Sequence, residues 1–290
     1  EPVHRIKSSG RELVGEHGLA CIKCHTFGNI RATGIQALDL QTMTKRLRED
    51  WFHRYLFDPP AYRPGTRMPT GFPNGQATVK DVYDGDPGKQ IAAMWTYLKD
   101  GNKAGVPDGL LFDAIELKPT DRPVIYRNFL EGLTPRGIAV GYPEHCNLAW
   151  DANDLCLKLI WHGKFIDASK HWTGRGQGTQ RPLGDHVLPL EDSAPVAVLA
   201  SADTPWPTES ARERGYRFRG YRLDANGRPT FVYSWGGGEV RDNPQPLPAG
   251  DREGTFERKI TITAQNETDN VWFRAATGSE IEPGPDGTYV

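Results

Sequence analysis

The stretch GLACIKCHTFG, residues 18–28, concentrates the reactive side chains of this sequence. Cys21 and Cys24 stand three positions apart, and His25 directly follows the second cysteine. The chain holds only four cysteines, so half of its thiols lie in this one turn. Three interpretations compete for the pattern: a disulfide or redox pair, half of a zinc site, and a c-type haem attachment site.

The surrounding sequence favours haem attachment and leaves the other two interpretations open. A zinc site needs a second ligand pair, and the next cysteine is as distant as Cys146. A redox pair normally opens a helix after a strand, whereas the segment before Cys21 is predicted to be helical. In a haem site Cys21 and Cys24 would form thioethers and His25 would bind the iron, so each residue has a task.

A haem iron in an electron carrier takes a second axial ligand, and a thioether sulfur raises its reduction potential. Met94 lies on the apolar face of a predicted helix and is expected to fill the core. Met43 has polar neighbours and no argument in its favour. Met68 stands in RPGTRMPTGFP, where prolines stiffen an extended loop suited to holding a sulfur ligand.

Three helices are predicted around these motifs. The first starts at a cap formed by Ser8 or Ser9, and the second ends at Pro59 and Pro60. The third has Asp86 as its cap, Pro87 in its first position and a left-handed stop at Gly101. Apolar residues at helical spacing predict the buried faces of the second and third helices: Trp51, Phe52, Tyr55 and Leu56, then Ile91, Met94, Trp95 and Leu98.

Residues 8–101 resemble a class I cytochrome c domain. The resemblance is carried, in order, by a helix leading into CIKCH, by DWFHRYLFDP, by RPGTRMP and by IAAMWTYLK. It implies one covalently attached haem c, with Cys21 and Cys24 as the attachment points, His25 as the proximal ligand and Met68 as the distal ligand.

The same resemblance implies that Trp51 and Tyr55 line the haem pocket, and that the first and last helices cross near Leu13, Trp95 and Leu98. Covalent haem attachment in this family places the protein in the periplasm or outside the cell. A start at Glu1 rather than methionine is expected for a trimmed, exported product. His17 and His53 are rival ligands, but both are expected to lie on helices and to face solvent.

After residue 104 the sequence changes to short alternating or apolar runs separated by turns, which predict an antiparallel β-sandwich. The expected architecture is therefore multidomain: an all-α cytochrome c domain over residues 1–104, then a β-rich accessory domain over residues 105–290. YRFRGYRLDANGRPTFVYSW is the clearest hairpin, with its reversal at Asn226 and Gly227.

Functional signals in the second region are weak. Cys146 and Cys156 could form a disulfide between neighbouring strands, or remain buried thiols. Scattered polar residues could form a metal or acid–base site but are more typical of solvated turns: His145, His162, His171 and His186, with Asp151, Asp154, Asp167 and Asp185. Exposed tryptophans could stack on sugars, although tryptophan in a sandwich is usually core: Trp150, Trp161, Trp172, Trp206, Trp235 and Trp272.

Residues 121–235 resemble a module found beside cytochrome c domains in large secreted, dehydrogenase-like proteins, through VIYRNFLEGLTPRGIAVGYP, NLAWDANDLCLKLIWHGKFIDASKHWTGRGQG and RPLGDH. The resemblance implies export and partnership with haem.

The expected function is an exported electron relay with a redox protein as its partner. One alternative is a peroxidase-like haem protein. Another is a carbohydrate-binding or enzymatic β domain that uses the haem as its electron outlet. A net charge of −2 and the lack of a long apolar run predict neither a nucleic-acid partner nor a membrane span.

Overall fold

The computed structural model describes residues 1–110, 115–172, 178–247, 255–278 and 280–284, without the side chain of Trp172. The chain divides into two compact units, Glu1–Ala114 and Ile115–Val290. The expected order of helices followed by antiparallel sheets is confirmed. Part of the strand predicted in LLFDAIEL, residues 111–114, and most of the GRGQG turn, residues 174–177, lie outside the described residues.

The first unit is built from helices, and residues 1–110 contain no strand. None of the helices in the described ranges combines the length and the apolarity that a membrane crossing requires. The α-helices of this unit are α1 (Val3–Val14), α2 (Met43–Arg46), α3 (Glu49–Phe57), α4 (Pro59–Tyr62) and α5 (Pro87–Leu98).

The predicted start of the first helix is wrong, because Ser8 and Ser9 lie inside α1. The Pro2 carbonyl already accepts from Arg5 and Ile6, so the helix begins at Val3. The predicted start of α5 is confirmed, since the Asp86 carboxylate accepts from the Lys89 backbone N–H at 3.0 Å. The helix ends at Leu98, before Gly101, whose φ of +56° opens a separate 3-10 turn.

The role predicted for Pro59 and Pro60 is only half right. The helix α3 ends at Phe57, but both prolines then start α4, where the Ala61 backbone N–H donates to the Asp58 carboxylate at 3.3 Å. Proline suits this place because its fixed φ is helical and its missing N–H would have no helical partner. As a result, the aromatic residues Trp51 and Tyr55 of α3 are followed closely in the chain by Tyr62 of α4.

The helices α1 and α5 pack directly against each other, as expected for the first and last helices. Gly10 makes the close approach: a Cβ there would lie 2.2 Å from the Ala93 carbonyl oxygen. Leu13, Trp95 and Leu98 belong to the same buried core. The sequence pattern did not single out Gly10, because a glycine inside a helix gives no apolar signal.

The second unit consists of antiparallel sheets. The strands are β1 (Glu116–Leu117), β2 (Val124–Arg127), β3 (Gly137–Gly141), β4 (Cys146–Asp151), β5 (Cys156–His162), β6 (Ile166–Asp167), β7 (Asp185–Pro189), β8 (Val196–Val198), β9 (Arg217–Leu223), β10 (Pro229–Trp235), β11 (Gly238–Leu247), β12 (Thr255–Ala264) and β13 (Val271–Phe273). A five-stranded sheet has the order β2-β3-β4-β5-β7, and a four-stranded sheet has the order β12-β11-β10-β9. Two small sheets, β1-β6 and β13-β8, complete it, together with a helical turn α6 (Ser169–Trp172).

The two large sheets share one apolar core, in which Trp150 of β4 stacks on Phe231 of β10 with ring centroids 4.6 Å apart. A second cluster around Trp161 and Phe165 covers the other face of the five-stranded sheet. The central strands β3 and β4 are consequently buried at every position. This double burial explains their nearly continuous apolar sequence.

The predicted hairpin is confirmed as β9 and β10. Gly227 has a φ of +80°, a conformation that glycine adopts without strain. Asp224 organises the loop, because its carboxylate accepts from the backbone N–H groups of Asn226 at 2.9 Å and Arg228 at 2.8 Å.

The disulfide considered for Cys146 and Cys156 does not form. The two residues lie on adjacent strands, but Cys146 is opposite His162 and Cys156 is opposite Asp151. The thiols therefore lie at opposite ends of the β4–β5 pair, about 17 Å apart at the usual rise per residue. A disulfide needs Cα atoms within about 7 Å.

A buried ionic cluster ties the four-stranded sheet to the rest of the second unit. Arg258 of β12 contacts Asp242 of β11 at 2.7 Å and Glu191 at 2.7 Å. Asp242 also accepts from the Trp150 indole N–H of the opposite sheet at 3.0 Å. Both carboxylates are almost fully buried, so a single guanidinium is the cation partner of two acidic side chains that water hardly reaches.

We expect Arg258→Met to lower the free energy of unfolding by about 3–5 kcal/mol, because it leaves two carboxylates buried without a cation. Glu191→Gln keeps a hydrogen-bond acceptor for Arg258 and removes one buried charge, so its cost should stay within about 1 kcal/mol. Urea unfolding followed by tryptophan fluorescence measures both. Equal losses in the two variants would contradict this account.

The pH dependence of stability should carry a signature of Glu191. Burial raises the pKa of its carboxyl above the usual 4.5, against the lowering effect of Arg258. At a pH between the ordinary pKa of 4.5 in the unfolded chain and the raised pKa in the folded chain, Glu191 binds more protons in the folded chain. Its contribution to the free energy of unfolding therefore falls as pH rises. Subtracting the Glu191→Gln unfolding curve from the parent curve isolates that fall, and a rise with pH would contradict the prediction.

Candidate functional site

The two cysteines and the histidine lie together on one turn, as their spacing predicted. A 3-10 turn spans Cys21–Lys23, and the backbone N–H groups of Cys24 and His25 both donate to the Cys21 carbonyl, at 3.1 and 2.9 Å. Cys24 and His25 are half-buried residues, whereas Cys21 packs against the core of this unit. Two thiols and an imidazole are therefore presented from a single, hydrogen-bonded turn.

The segment 33–40 wraps around this turn and holds it in place. The Thr33 N–H donates to the Ile22 carbonyl at 3.1 Å, and the Ala37 N–H donates to the Cys24 carbonyl at 2.6 Å. The Leu40 N–H donates to the Thr26 carbonyl at 2.9 Å. Because these bonds join backbone to backbone, the arrangement has no side-chain signature in the sequence.

This wrapping fixes the chemistry of His25. Its Nδ1 lies 2.8 Å from the Leu38 carbonyl oxygen. A carbonyl can only accept, so Nδ1 must carry the hydrogen. In the neutral ring Nε2 then keeps its lone pair, which is the state in which histidine binds a metal. The sequence predicted His25 as a ligand but gave no sign of the carbonyl that sets its tautomer.

The three methionines differ in burial. Met43 and Met94 are buried in the core of the first unit. Met68 is half-exposed and lies outside that core, in the proline-rich loop. Of the three thioethers, that of Met68 is thus the one placed to meet a ligand.

The loop that carries Met68 contacts both other parts of the candidate site. The Thr70 hydroxyl donates to the Phe57 carbonyl at 2.8 Å, which anchors the loop to the end of α3. Three residues after Met68, Gly71 approaches the segment before Cys21: a Cβ there would lie 2.7 Å from a methyl group of Leu19. The contact brings the methionine loop beside the cysteine turn.

The helix α3 has one side in the core and another outside it. Phe52 is buried and Leu56 packs against the core, whereas Trp51 and Tyr55 are half-exposed and do not belong to the core cluster. Their rings stack on each other with centroids 4.6 Å apart. The prediction that Trp51, Phe52, Tyr55 and Leu56 form one buried side is therefore wrong for Trp51 and Tyr55.

Further apolar side chains around the site are exposed. Ile35 and Leu38 of the wrapping segment are about half exposed, and so is Tyr62 of α4, whose ring lies 6.4 Å from that of Tyr55. Large apolar side chains normally leave water when a partner surface is available. This concentration is typical of a surface that an apolar group would cover.

The rival ligands do not join the site. His17 lies in the turn after α1, not on the predicted helix, and it is exposed. His53 is half-buried on α3, with its Nε2 near Gly88 at the start of α5. Neither is placed on the cysteine turn or in the methionine loop.

The environment of Cys21 is unlike that of a redox dithiol. Burial raises the pKa of its thiol to about 11, and the nearby Cys24 adds to the effect, while a backbone hydrogen bond opposes it. The first cysteine of a redox pair has a lowered pKa, because the thiolate is the nucleophile. Burial of Cys21 therefore disfavours the thiolate that a redox pair requires.

Within the described residues, no three His, Cys, Asp or Glu side chains are grouped to hold a metal ion. The scattered histidines and aspartates of the second unit thus form no metal site there. A haem is a different case, because the porphyrin supplies four nitrogen ligands and the protein only the axial ones. Two thiols and an imidazole on one turn, with a half-exposed thioether in the nearby loop, are the donor groups that a haem c would need.

The tryptophans of the second unit mostly serve its core. Trp150, Trp161 and Trp235 are buried. Arg274 lies over the ring of Trp206, 4.7 Å from its centroid, which leaves Trp272 as the most exposed indole among those described. The tryptophans give little support to sugar stacking.

Comparison with protein-family models, with curated proteins and with solved structures yields no match. The functional argument therefore depends on the residues and their geometry.

We expect Cys21 to be unreactive in the folded chain before any thioether forms. In the Cys24→Ser variant, iodoacetamide at pH 8 should alkylate Cys21 about a hundredfold more slowly than in urea, because the raised pKa leaves little thiolate. Peptide mass spectrometry after timed quenching gives both rates. Faster alkylation in the folded chain would instead indicate a redox dithiol.

Proposed function

We propose that residues 1–110 carry one covalently attached haem c and that the protein is an exported one-electron carrier. The observation that carries the proposal is the hydrogen bond from His25 Nδ1 to the Leu38 carbonyl, on the turn that also presents Cys21 and Cys24. It leaves Nε2 available to iron and supports the use of the two thiols as attachment points.

Met68 is the proposed second ligand. Its loop is anchored to α3 and approaches Leu19, and its sulfur is not needed by the core. A thioether is a weaker donor than a second imidazole and raises the reduction potential. Prolines on both sides of this position limit the freedom of the loop, so less entropy is lost when the sulfur is held in place.

Trp51 and Tyr55 are the proposed wall of the haem pocket. Their stacked rings are half-exposed and do not belong to the core cluster, so they offer apolar area to a ligand. The haem would supply reversible one-electron chemistry at its iron. The chain's own contribution is to hold both axial ligands, to exclude water with aromatic and aliphatic side chains, and to keep His25 in one tautomer.

We propose an accessory role for the second unit, in partner or ligand binding. A redox protein, either an electron-donating dehydrogenase or an acceptor, is the proposed partner of the haem unit. The proposed location is the periplasm or the cell exterior, where haem attachment of this type takes place.

The spectrum of the exported protein tests the proposal. We expect a low-spin haem with the weak red band of sulfur ligation in the ferric state. Met68→Ala should abolish that band and lower the reduction potential, because the thioether is lost. Met43→Leu is the matched control and should leave the band unchanged, since Met43 is core.

Two other outcomes would be informative. A high-spin spectrum in the parent protein would contradict the relay and favour peroxidase-like chemistry at an open iron position. Absence of covalently bound haem after export, judged by denaturing gel and mass, would remove the haem assignment altogether.

A further inference from the structure

The outward face of the four-stranded sheet is basic and hydrophilic. Cross-strand register places Arg222, Thr230 and Asn243 in one row, with Lys259 at its end. The next row holds Val232, Arg241 and Thr261, and a further row holds Arg217, Ser234, Glu239 and Thr263. Beyond Lys259, Gln245 is opposite Glu257, which is the second carboxylate of this face. Arg219, at the bulge of β9, reaches this face through its bond to the Ser234 hydroxyl. We call this surface the outer face.

Arg219, Arg222 and Lys259 of the outer face form no ion pair with a carboxylate in the part of the chain that the structure describes, whereas the Arg217 guanidinium donates to the backbone carbonyls of Arg212 and Tyr216. Arg241 is neutralised by Glu239 at 2.8 Å. Arg219 donates only to the Ser234 hydroxyl, at 3.1 Å, and neither Arg222 nor Lys259 contacts an acidic side chain. Exposed cations without partners are free to meet anions from solution.

These charges are spread over the width of the sheet. Strands lie about 4.8 Å apart, so Arg222 on β9 and Lys259 on β12 are separated by roughly 14 Å across three strand spacings. Near the β10–β11 turn, Arg219, Ser234 and Gly238 line a shallow cavity of about 500 Å³ together with Glu239 and Thr263. Such a spacing suits an extended ligand with repeated negative charges.

The side chains between the cations indicate the chemical class of that ligand. The outer face presents hydroxyls and amides from Thr230, Ser234, Asn243 and Thr261 and bears no aromatic ring among its described residues. Single-stranded nucleic acids are held largely by stacking on aromatic rings, and protein interfaces use apolar and aromatic anchors. Val232, the central apolar residue, is only 3% exposed.

We propose that the outer face binds an acidic polysaccharide. Sulfate or carboxylate groups would pair with Arg219, Arg222 and Lys259, and sugar hydroxyls would bond to the neutral polar side chains. The polysaccharide would be held by many weak ionic contacts between exposed charges. Because salt screens such charges, binding should weaken as the salt concentration rises. This inference depends on the second unit alone and is independent of the haem.

Affinity electrophoresis of the full chain tests it, in gels containing dextran sulfate, polygalacturonate or uncharged dextran. We expect retardation by at least one acidic polymer, which also distinguishes sulfate from carboxylate recognition, and none by uncharged dextran. The variant Arg219→Gln/Arg222→Gln/Lys259→Gln should bind the acidic polymer at least about tenfold more weakly than the parent chain does.

The matched control is Lys118→Gln/Arg127→Gln/Arg181→Gln, which removes three exposed cations outside the outer face. It should keep the parent's affinity, and near-ultraviolet circular dichroism checks that both variants are folded. Equal weakening in the two variants would reduce the effect to net charge and overturn the proposal. Retardation by single-stranded DNA but by neither acidic polymer would overturn it as well.

Discussion

The first unit depends on a backbone constraint: the segment 33–40 is hydrogen-bonded around the cysteine turn, and its Leu38 carbonyl accepts from His25. This bond orients the imidazole and decides which nitrogen is protonated. A histidine free to rotate would offer either nitrogen, and metal affinity would fall accordingly. The neighbouring aromatic rings and the methionine loop are useful as a site only because this turn is fixed.

The second unit applies a comparable constraint with charges. Arg258 holds two buried carboxylates, and Asp242 binds the indole of Trp150 across the sandwich. Buried ion pairs add little net stability, but a missing partner is costly. The cluster therefore favours one packing of the two sheets over others, and it keeps its charges on the inner side, apart from the cations of the outer face.

Sequence patterns anticipated the elements whose signals are local. The cap of α5 follows from Asp86 and Pro87, and the β9–β10 hairpin follows from Asn226 and Gly227. The start of α1 was mispredicted because Ser8 and Ser9 are good caps in isolation, while the Pro2 carbonyl already begins the helix. Cys146 and Cys156 were considered as a pair because sequence spacing gives neither register nor distance, and the register places them at opposite ends of two strands.

The sequence by itself determined the inventory of the candidate site: two thiols and an imidazole on one turn, one methionine in a proline-rich loop, and aromatic residues at helical spacing. The tertiary structure decided which of these are available. Met43 and Met94 are buried in the core, whereas Met68 is not. The helix α3 buries Phe52, while its Trp51 and Tyr55 lie outside the core. Whether a side chain is available to a ligand depends on which helices and loops pack over it. The Leu38 carbonyl orients His25 because the fold places it next to the imidazole. Both arise from contacts between distant segments, which a local pattern of side chains does not encode.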